Sequence, residues 1–174
     1  MSQTSDVFTE RDRVINTVNE YDSGDCFSIS IYKSKKLKLG EGVTLVFYIS
    51  LKDGKSIQRL HRALGGCGQI LEKKNGIFTF RVQDFQSINE IIIPFFNTRV
   101  VYNPEDKACL LAPLKGRKLL AFERLKKVAN LIESRGKGKS TMTIEILNEI
   151  KSIQRSMAQK ASNDELSNCN FSQN

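Results

Sequence analysis

Eight side chains in this sequence share a chemistry. Ser28, Ser30, Tyr32, Tyr48, Ser50, Gln69, Thr79 and Arg81 fall on one alternation of strand-like runs and offer hydroxyls, an amide and a guanidinium. Groups of this kind bond to base edges or to ribose 2′-hydroxyls, and the neighbouring Lys33, Lys35, Lys36, Lys38, Lys73 and Lys74 suit phosphates. A solvated sheet face would look similar, because antiparallel sheets commonly leave one face in water. The charge balance favours a binding face: the formal net charge is +8 and the pI is near 9.4, which points to a polyanionic partner, nucleic acid first among them.

Other reactive residue types carry less. The string Arg135-Gly136-Lys137-Gly138-Lys139-Ser140 ends as a phosphate-binding loop does, but the position of the first glycine is Glu133 and a helix precedes it. Arg135, Lys137 and Lys139 are therefore read as a basic inter-helix loop that touches nucleic-acid phosphates. His61 is the one histidine and has no cysteine, serine or acid constellation around it; it reads as an exposed helix residue. Cys26, Cys67, Cys109 and Cys169 are widely spaced with no Cys-x-x-Cys, which argues against a zinc site and a disulfide framework and fits a reducing compartment. Cys67, between two glycines, reads as a small buried side chain. No apolar run is long enough to span a bilayer, and no membrane partner or signal segment is expected.

The elements that position these residues can be read in order. Phe27–Tyr32 and Val43–Leu51 alternate apolar and polar residues with the period of a half-buried strand, and a lysine-rich hairpin tip joins them. Asp53 caps a helix carrying Ile57, Leu60 and Leu64, which Gly65-Gly66 stops. Strands 69–74 and 77–82 follow, joined by Asn75-Gly76 in a type I′ turn. Asp84 caps a helix through Phe85, Ile88, Ile91 and Ile92, which Pro94 ends. Beyond Gly116, Leu120, Leu125, Val128, Ala129 and Ile132 mark an amphipathic helix, and Thr143 opens a last one through Ile146, Leu147, Ile150, Ile153 and Met157. Residues 13–22 carry only Val14, Ile15 and Val18 as an apolar stripe. The result is an α+β chain, (α)ββαββα with a four-stranded antiparallel sheet and additional C-terminal helices. One domain, 11–159, is expected between flexible tails at 1–10 and 160–174.

Several strings in this order resemble a known family. Phe47-Tyr48-Ile49-Ser50-Leu51-Lys52-Asp53, Gly66-Cys67-Gly68-Gln69-Ile70, Phe80-Arg81-Val82 and Ile92-Ile93-Pro94-Phe95-Phe96 are followed by Pro113-Leu114-Lys115-Gly116-Arg117-Lys118 and by Met142-Thr143. Their order and spacing resemble one half of a LAGLIDADG homing endonuclease. The resemblance implies a curved sheet whose concave polar face lies against DNA, with helices behind it. It also implies a Mg²⁺-binding acid followed by glycine at the end of a helix just before the first strand.

In that place this sequence reads Thr17-Val18-Asn19-Glu20-Tyr21-Asp22-Ser23-Gly24-Asp25, so Gly24 takes the acid's position and Asp25 the glycine's. A carboxylate moved by one residue points about 100° away on a helix, and Mg²⁺ demands strict octahedral geometry. A one-residue gap would restore Asp25 but set Cys26 in the glycine's place and Asn19 and Glu20 among the small packing residues. In both registers the close-packing residues that let two such helices cross are lost, which weighs against a homodimer as well as against cleavage. Asp22 and Asp25 are the weak catalytic candidates, and no cofactor is expected unless a surviving endonuclease uses Mg²⁺.

The function expected is that of a catalytically degenerate nucleic-acid-binding protein, with RNA favoured over DNA. Its setting would be the mitochondrion, or alternatively the chloroplast. There it would act as an intron-splicing maturase or as a ribosomal protein among ribonucleoprotein partners. A Mg²⁺-dependent site-specific DNA endonuclease working with a partner chain is the alternative. A protein-interaction module using Leu110 to Ala112 and the C-terminal helices is the third.

Overall fold

The computed structural model describes residues 3–21, 26–97, 114–134 and 142–169, with side chains over 10–21, 26–97, 114–134 and 142–157. Helix α1 (Gln3–Glu20) leads into β1 (Phe27–Lys33) and β2 (Glu41–Leu51). Helix α2 (Gly54–Ala63) then crosses to β3 (Gln69–Glu72) and β4 (Phe78–Val82). A further helical stretch is built from α3 (Phe85–Ser87), a π-helical turn (Ile88–Ile92) and α4 (Ile93–Phe96), and α5 (Gly116–Glu133) and α6 (Ile144–Cys169) complete the order. All four strands pair antiparallel in the order β1-β2-β4-β3, which is the expected α+β architecture.

The helices cover one face of this sheet because the odd-numbered residues from Phe27 to Ile31 in β1 and from Val43 to Leu51 in β2 are apolar. Phe27, Ile29, Leu45, Phe47 and Ile49 join Phe80 and Val82 of β4 in a core closed by Ile57 and Leu60 of α2, Ile88 and Ile92 of the π turn, and Phe122 and Leu125 of α5. Side chains alternate sides along a strand, so the same register turns the even-numbered residues away from the helices. Among the described residues, no polar or charged residue is buried, and no helix is long and apolar enough to cross a membrane.

Helix α2 follows its signals. Asp53 accepts from the N–H groups of Lys55 and Ser56, and Gly65 (φ 68°) and Gly66 close the far end by donating to the carbonyls of Arg62 and His61. Asp84 caps α3 by accepting from the Ser87 N–H at 2.7 Å.

Three local expectations are corrected. Pro94 does not end its helix, which runs on to Phe96. The Ile93 N–H reaches back five residues to the Ile88 carbonyl, and this wider turn accommodates a ring that has no N–H and crowds the carbonyl four residues before it. The β3–β4 connection is not a two-residue type I′ turn. Gly76 (φ 72°) donates to the Lys73 carbonyl and Lys73 to that of Ile77, leaving the three-residue loop Lys74-Asn75-Gly76. Leu120 is not on the buried stripe of α5: it is 41% exposed, and the stripe runs through Ala121, Phe122, Leu125, Val128 and Ala129. Helix α1 runs from Gln3 to Glu20, and Val14, Ile15 and Val18 seat its later turns on the core. The domain was expected over 11–159, and α1 and α6 both extend past those bounds.

Gly68 permits the close approach of β3 to β4. At φ 81° a Cβ would stand 2.6 Å from Val82 Cγ2 and 2.7 Å from the Arg81 carbonyl oxygen. We predict that Gly68→Ala costs about 2 kcal/mol or more, combining left-handed backbone with overpacking. Gly76→Ala, with a similar φ but nothing within 4 Å, should cost only about 1 kcal/mol. Thermal unfolding of the two variants checks this, and equal losses would show that the contact at Gly68 is not tight.

Candidate nucleic-acid interface

The register gathers the polar set on the face away from the helices. Tyr32 pairs with Gly42, Ser30 with Thr44 and Ser28 with Val46; Arg81 stands between Tyr48 on one side and Gln69 on the other; Ser50 lies opposite Thr79, and Thr79 opposite Leu71. All eight residues singled out from the sequence therefore share one face. Ser30, Tyr32, Gln69 and Arg81 are exposed, and Ser28, Tyr48, Ser50 and Thr79 are half-buried. Ser50 Oγ and Thr79 Oγ1 bond to each other at 2.8 Å, which fixes two hydroxyls side by side with an acceptor lone pair still available on each. Successive rows are about 6.7 Å apart, close to two nucleotide steps of about 3.4 Å.

The lysines stand at opposite ends of this face. The β1–β2 hairpin, held by the Ser34 N–H on the Gly40 carbonyl at 2.8 Å, carries Lys35, Lys36 and Lys38 beside the Tyr32 row. The β3–β4 hairpin, with Lys73 and Lys74, stands beyond the Ser50 row because β4 begins where β2 ends. All five are exposed. Lys33 departs from the set: its register with Glu41 puts it on the helix side of the sheet, although it too is exposed. Arg135, Lys137 and Lys139 lie outside the described residues, as does the patch Leu110 to Ala112.

Two members of the face were missed. Thr44 shares the alternation of Tyr48 and Ser50 and could have been found by extending it backwards. Leu71, 52% exposed beside Thr79, follows from the alternation of Gln69, although its apolar chemistry hid it. His61 and Cys67 are also corrected. The imidazole is half-buried, bonded through Nε2 to the Gly66 carbonyl at 2.9 Å and packed 5.7 Å from the Phe80 ring, so it braces the glycine corner. Cys67 is half-buried rather than buried, and burial first, then the Asp84 charge, push its thiol pKa up, away from nucleophilic character.

Asp22 and Asp25 lie outside the described residues. The end of α1 beside them is described, and Asn19 and Tyr21 there are bonded to the start of α5. Asn19 Oδ1 accepts from the Lys115 N–H at 3.1 Å, and the Lys118 ammonium donates to the carbonyls of Asn19, at 3.1 Å, and Tyr21. A cavity of about 340 Å³ opens here between α1 and α5, lined also by the Glu20 carboxylate and by Arg117. An ammonium seated on these carbonyls repels a divalent cation, and Glu20 is the one carboxylate among the described residues that line this corner. Among the described residues no three His, Cys, Asp or Glu side chains group as metal ligands.

A helix-backed four-stranded sheet with a polar face between two cationic hairpins defines a class of nucleic-acid-reading domain. The family model for LAGLIDADG endonuclease matches residues 21–107, half of the sequence, and the chain belongs to that family. It is 29% identical over 139 residues to "Probable intron-encoded endonuclease 3" of Neurospora crassa, covering 78% of this chain and 23% of that protein. Among solved structures, I-SmaMI bound to an uncleaved DNA target in the presence of calcium ions is similar, with a TM-score of 0.67 at 24% identity over 86% of this chain and 45% of that one. I-LtrWI bound to target DNA gives 0.59 at 32% identity over 74% of this chain and 38% of that one. I-TnaI gives 0.65 at 21% identity over 84% and 86%. The chain thus spans under half the length of I-SmaMI and I-LtrWI, and the likenesses below 25% identity show the fold alone.

Lys118 offers a test of the α1 corner. Lys118→Met keeps the aliphatic stem and removes the ammonium from two helix-terminal carbonyls, and about 1–2 kcal/mol of stability should be lost. Urea unfolding reads this, and an unchanged midpoint would contradict the contact.

Proposed function

We propose that this chain binds RNA through the open face of its sheet and does not cleave it. The observation that carries the proposal is the gathering of eight polar side chains on one face between two lysine-bearing hairpins. The target favoured is intron or ribosomal RNA of an organelle, the mitochondrion before the chloroplast, in company with ribonucleoprotein partners.

Two observations support binding without cleavage. The carbonyls at the end of α1 hold an ammonium, and the exposed face of that helix carries Arg13, Asn16 and Glu20 rather than the small residues a close helix crossing needs. The second point also favours a chain that does not self-associate through α1. RNA is supported by Tyr32 and Leu71, exposed by 48% and 52% at opposite edges of the face, which suit unpaired bases better than the hydrogen-bonding floor of a DNA groove.

A second reading has its own support. The DNA-bound state of I-LtrWI, at 32% identity, favours a duplex DNA target and a Mg²⁺-dependent endonuclease completed by a further domain or partner chain. Sequencing the nucleic acid recovered with the protein from its native source separates the two. One predominant RNA, with no Mg²⁺-dependent nicking of matched duplex DNA, is the expected result. Recovery of a single duplex DNA site that is cut on adding Mg²⁺ would overturn the proposal.

The lysine hairpin supplies a quantitative prediction. Replacing Lys35, Lys36 and Lys38 with Ala should weaken binding and lower the slope of log affinity against log salt by about 2 for single strands, or about 3 for duplex. An unchanged slope removes this hairpin from the interface.

A further inference from the structure

Tyr32 is placed in a way that covering the sheet does not explain. Its partner across the ladder is Gly42, and a Cβ there would fall 2.6 Å from the Tyr32 hydroxyl oxygen and closer still to its Cζ. The ring therefore lies over the bare glycine backbone, with Leu37 of the hairpin loop also close to that point, 2.8 Å from the same imagined Cβ. Laid down in this way, it still leaves 48% of the residue open. Among the described residues no aromatic ring stacks on it and no cation sits over it. The next row inward, Ser30 and Thr44, is low and hydroxyl-bearing, and Lys35, Lys36 and Lys38 stand just beyond the ring without an ion pair among the described residues.

We propose that Tyr32, seated on Gly42, is a stacking platform for one unpaired RNA base, with the Ser30–Thr44 row beside its ribose and the hairpin lysines on its phosphates. This rests on the RNA-binding reading and deepens it. A ring held down by a glycine has lost its freedom before the base arrives, so less entropy is lost on binding. A phenol ring stacks on any base, so the platform recognises that a base is unpaired rather than which base it is. The target element is then a bulge, loop or strand end at the margin of a duplex, one row from groups that can bond its 2′-hydroxyl.

The test uses the full chain and two RNA duplexes of equal length, one fully paired and one carrying a single bulged 2-aminopurine, whose fluorescence falls on stacking. The wild-type chain should bind the bulged RNA more tightly and quench it. Tyr32→Phe should retain both properties. Tyr32→Ala and Tyr32→Leu should lose the quenching and roughly 5- to 100-fold in affinity for the bulged RNA, with the salt slope unchanged. Gly42→Ala, checked for folding by thermal unfolding, should lose the quenching with the tyrosine still present. Retained quenching in Tyr32→Ala would overturn the platform while leaving RNA binding standing. No binding of either RNA by the wild-type chain would overturn the RNA reading and the platform with it.

Discussion

Phe47 sets the register on which the rest of the structure depends. It pairs with Phe27 on one side and Val82 on the other, and its ring lies 5.1 Å from Phe27, 5.3 Å from Phe96 and 6.0 Å from Phe80. Burial of such a ring stabilises by roughly 2–3 kcal/mol, and the aromatic contacts add to it. A slip of one residue would turn Leu45 and Phe47 to water and bring Thr44 and Tyr48 against the helices. The face proposed to meet nucleic acid is thus fixed from behind. What aims Tyr48 and Ser50 outward is the cost of exposing Phe47.

The helices around this cluster act through the same contact. The π turn before Pro94 carries the helix one more turn, so that Phe96 reaches Phe27 and Phe47 and also stands 6.2 Å from Phe122 of α5. Helix α1 is tied to that turn by the Arg11 guanidinium on the Phe95 carbonyl, and to α5 by Lys118. Helix α6 closes the outer edge, where the Gln154 side-chain amide donates to the Ile29 carbonyl and Lys151 pairs with Glu41.

Much of this was legible in the sequence, for a physical reason. Strand faces follow from period-two alternation, so Ser28, Ser30, Tyr48, Ser50, Thr79 and Arg81 could be assigned to one side without knowing which strands pair. The caps at Asp53 and Asp84 and the stop at Gly65-Gly66 are local and were equally readable. What stayed hidden depends on contacts between distant residues. Pro94 ends an isolated helix, but the core contacts of Phe96 favour a widened turn instead. Leu120 fits a helical stripe that α5 does not use. His61 found its partners in a carbonyl past the helix end and a ring on β4. The Lys118 contacts to Asn19 and Tyr21 join α5 to the end of α1, and nothing in either segment announces them.

The central claim is that the face turned away from the helices is where nucleic acid sits. Amide and side-chain NMR shifts of the full chain, followed as the RNA recovered with it is added, test that claim most directly. The account predicts that the largest changes fall on Ser28, Ser30, Thr44, Tyr48, Ser50, Thr79 and Arg81 and on both lysine hairpins. Changes gathered instead on the exposed sides of α2 and α5, with the sheet face silent, would contradict it.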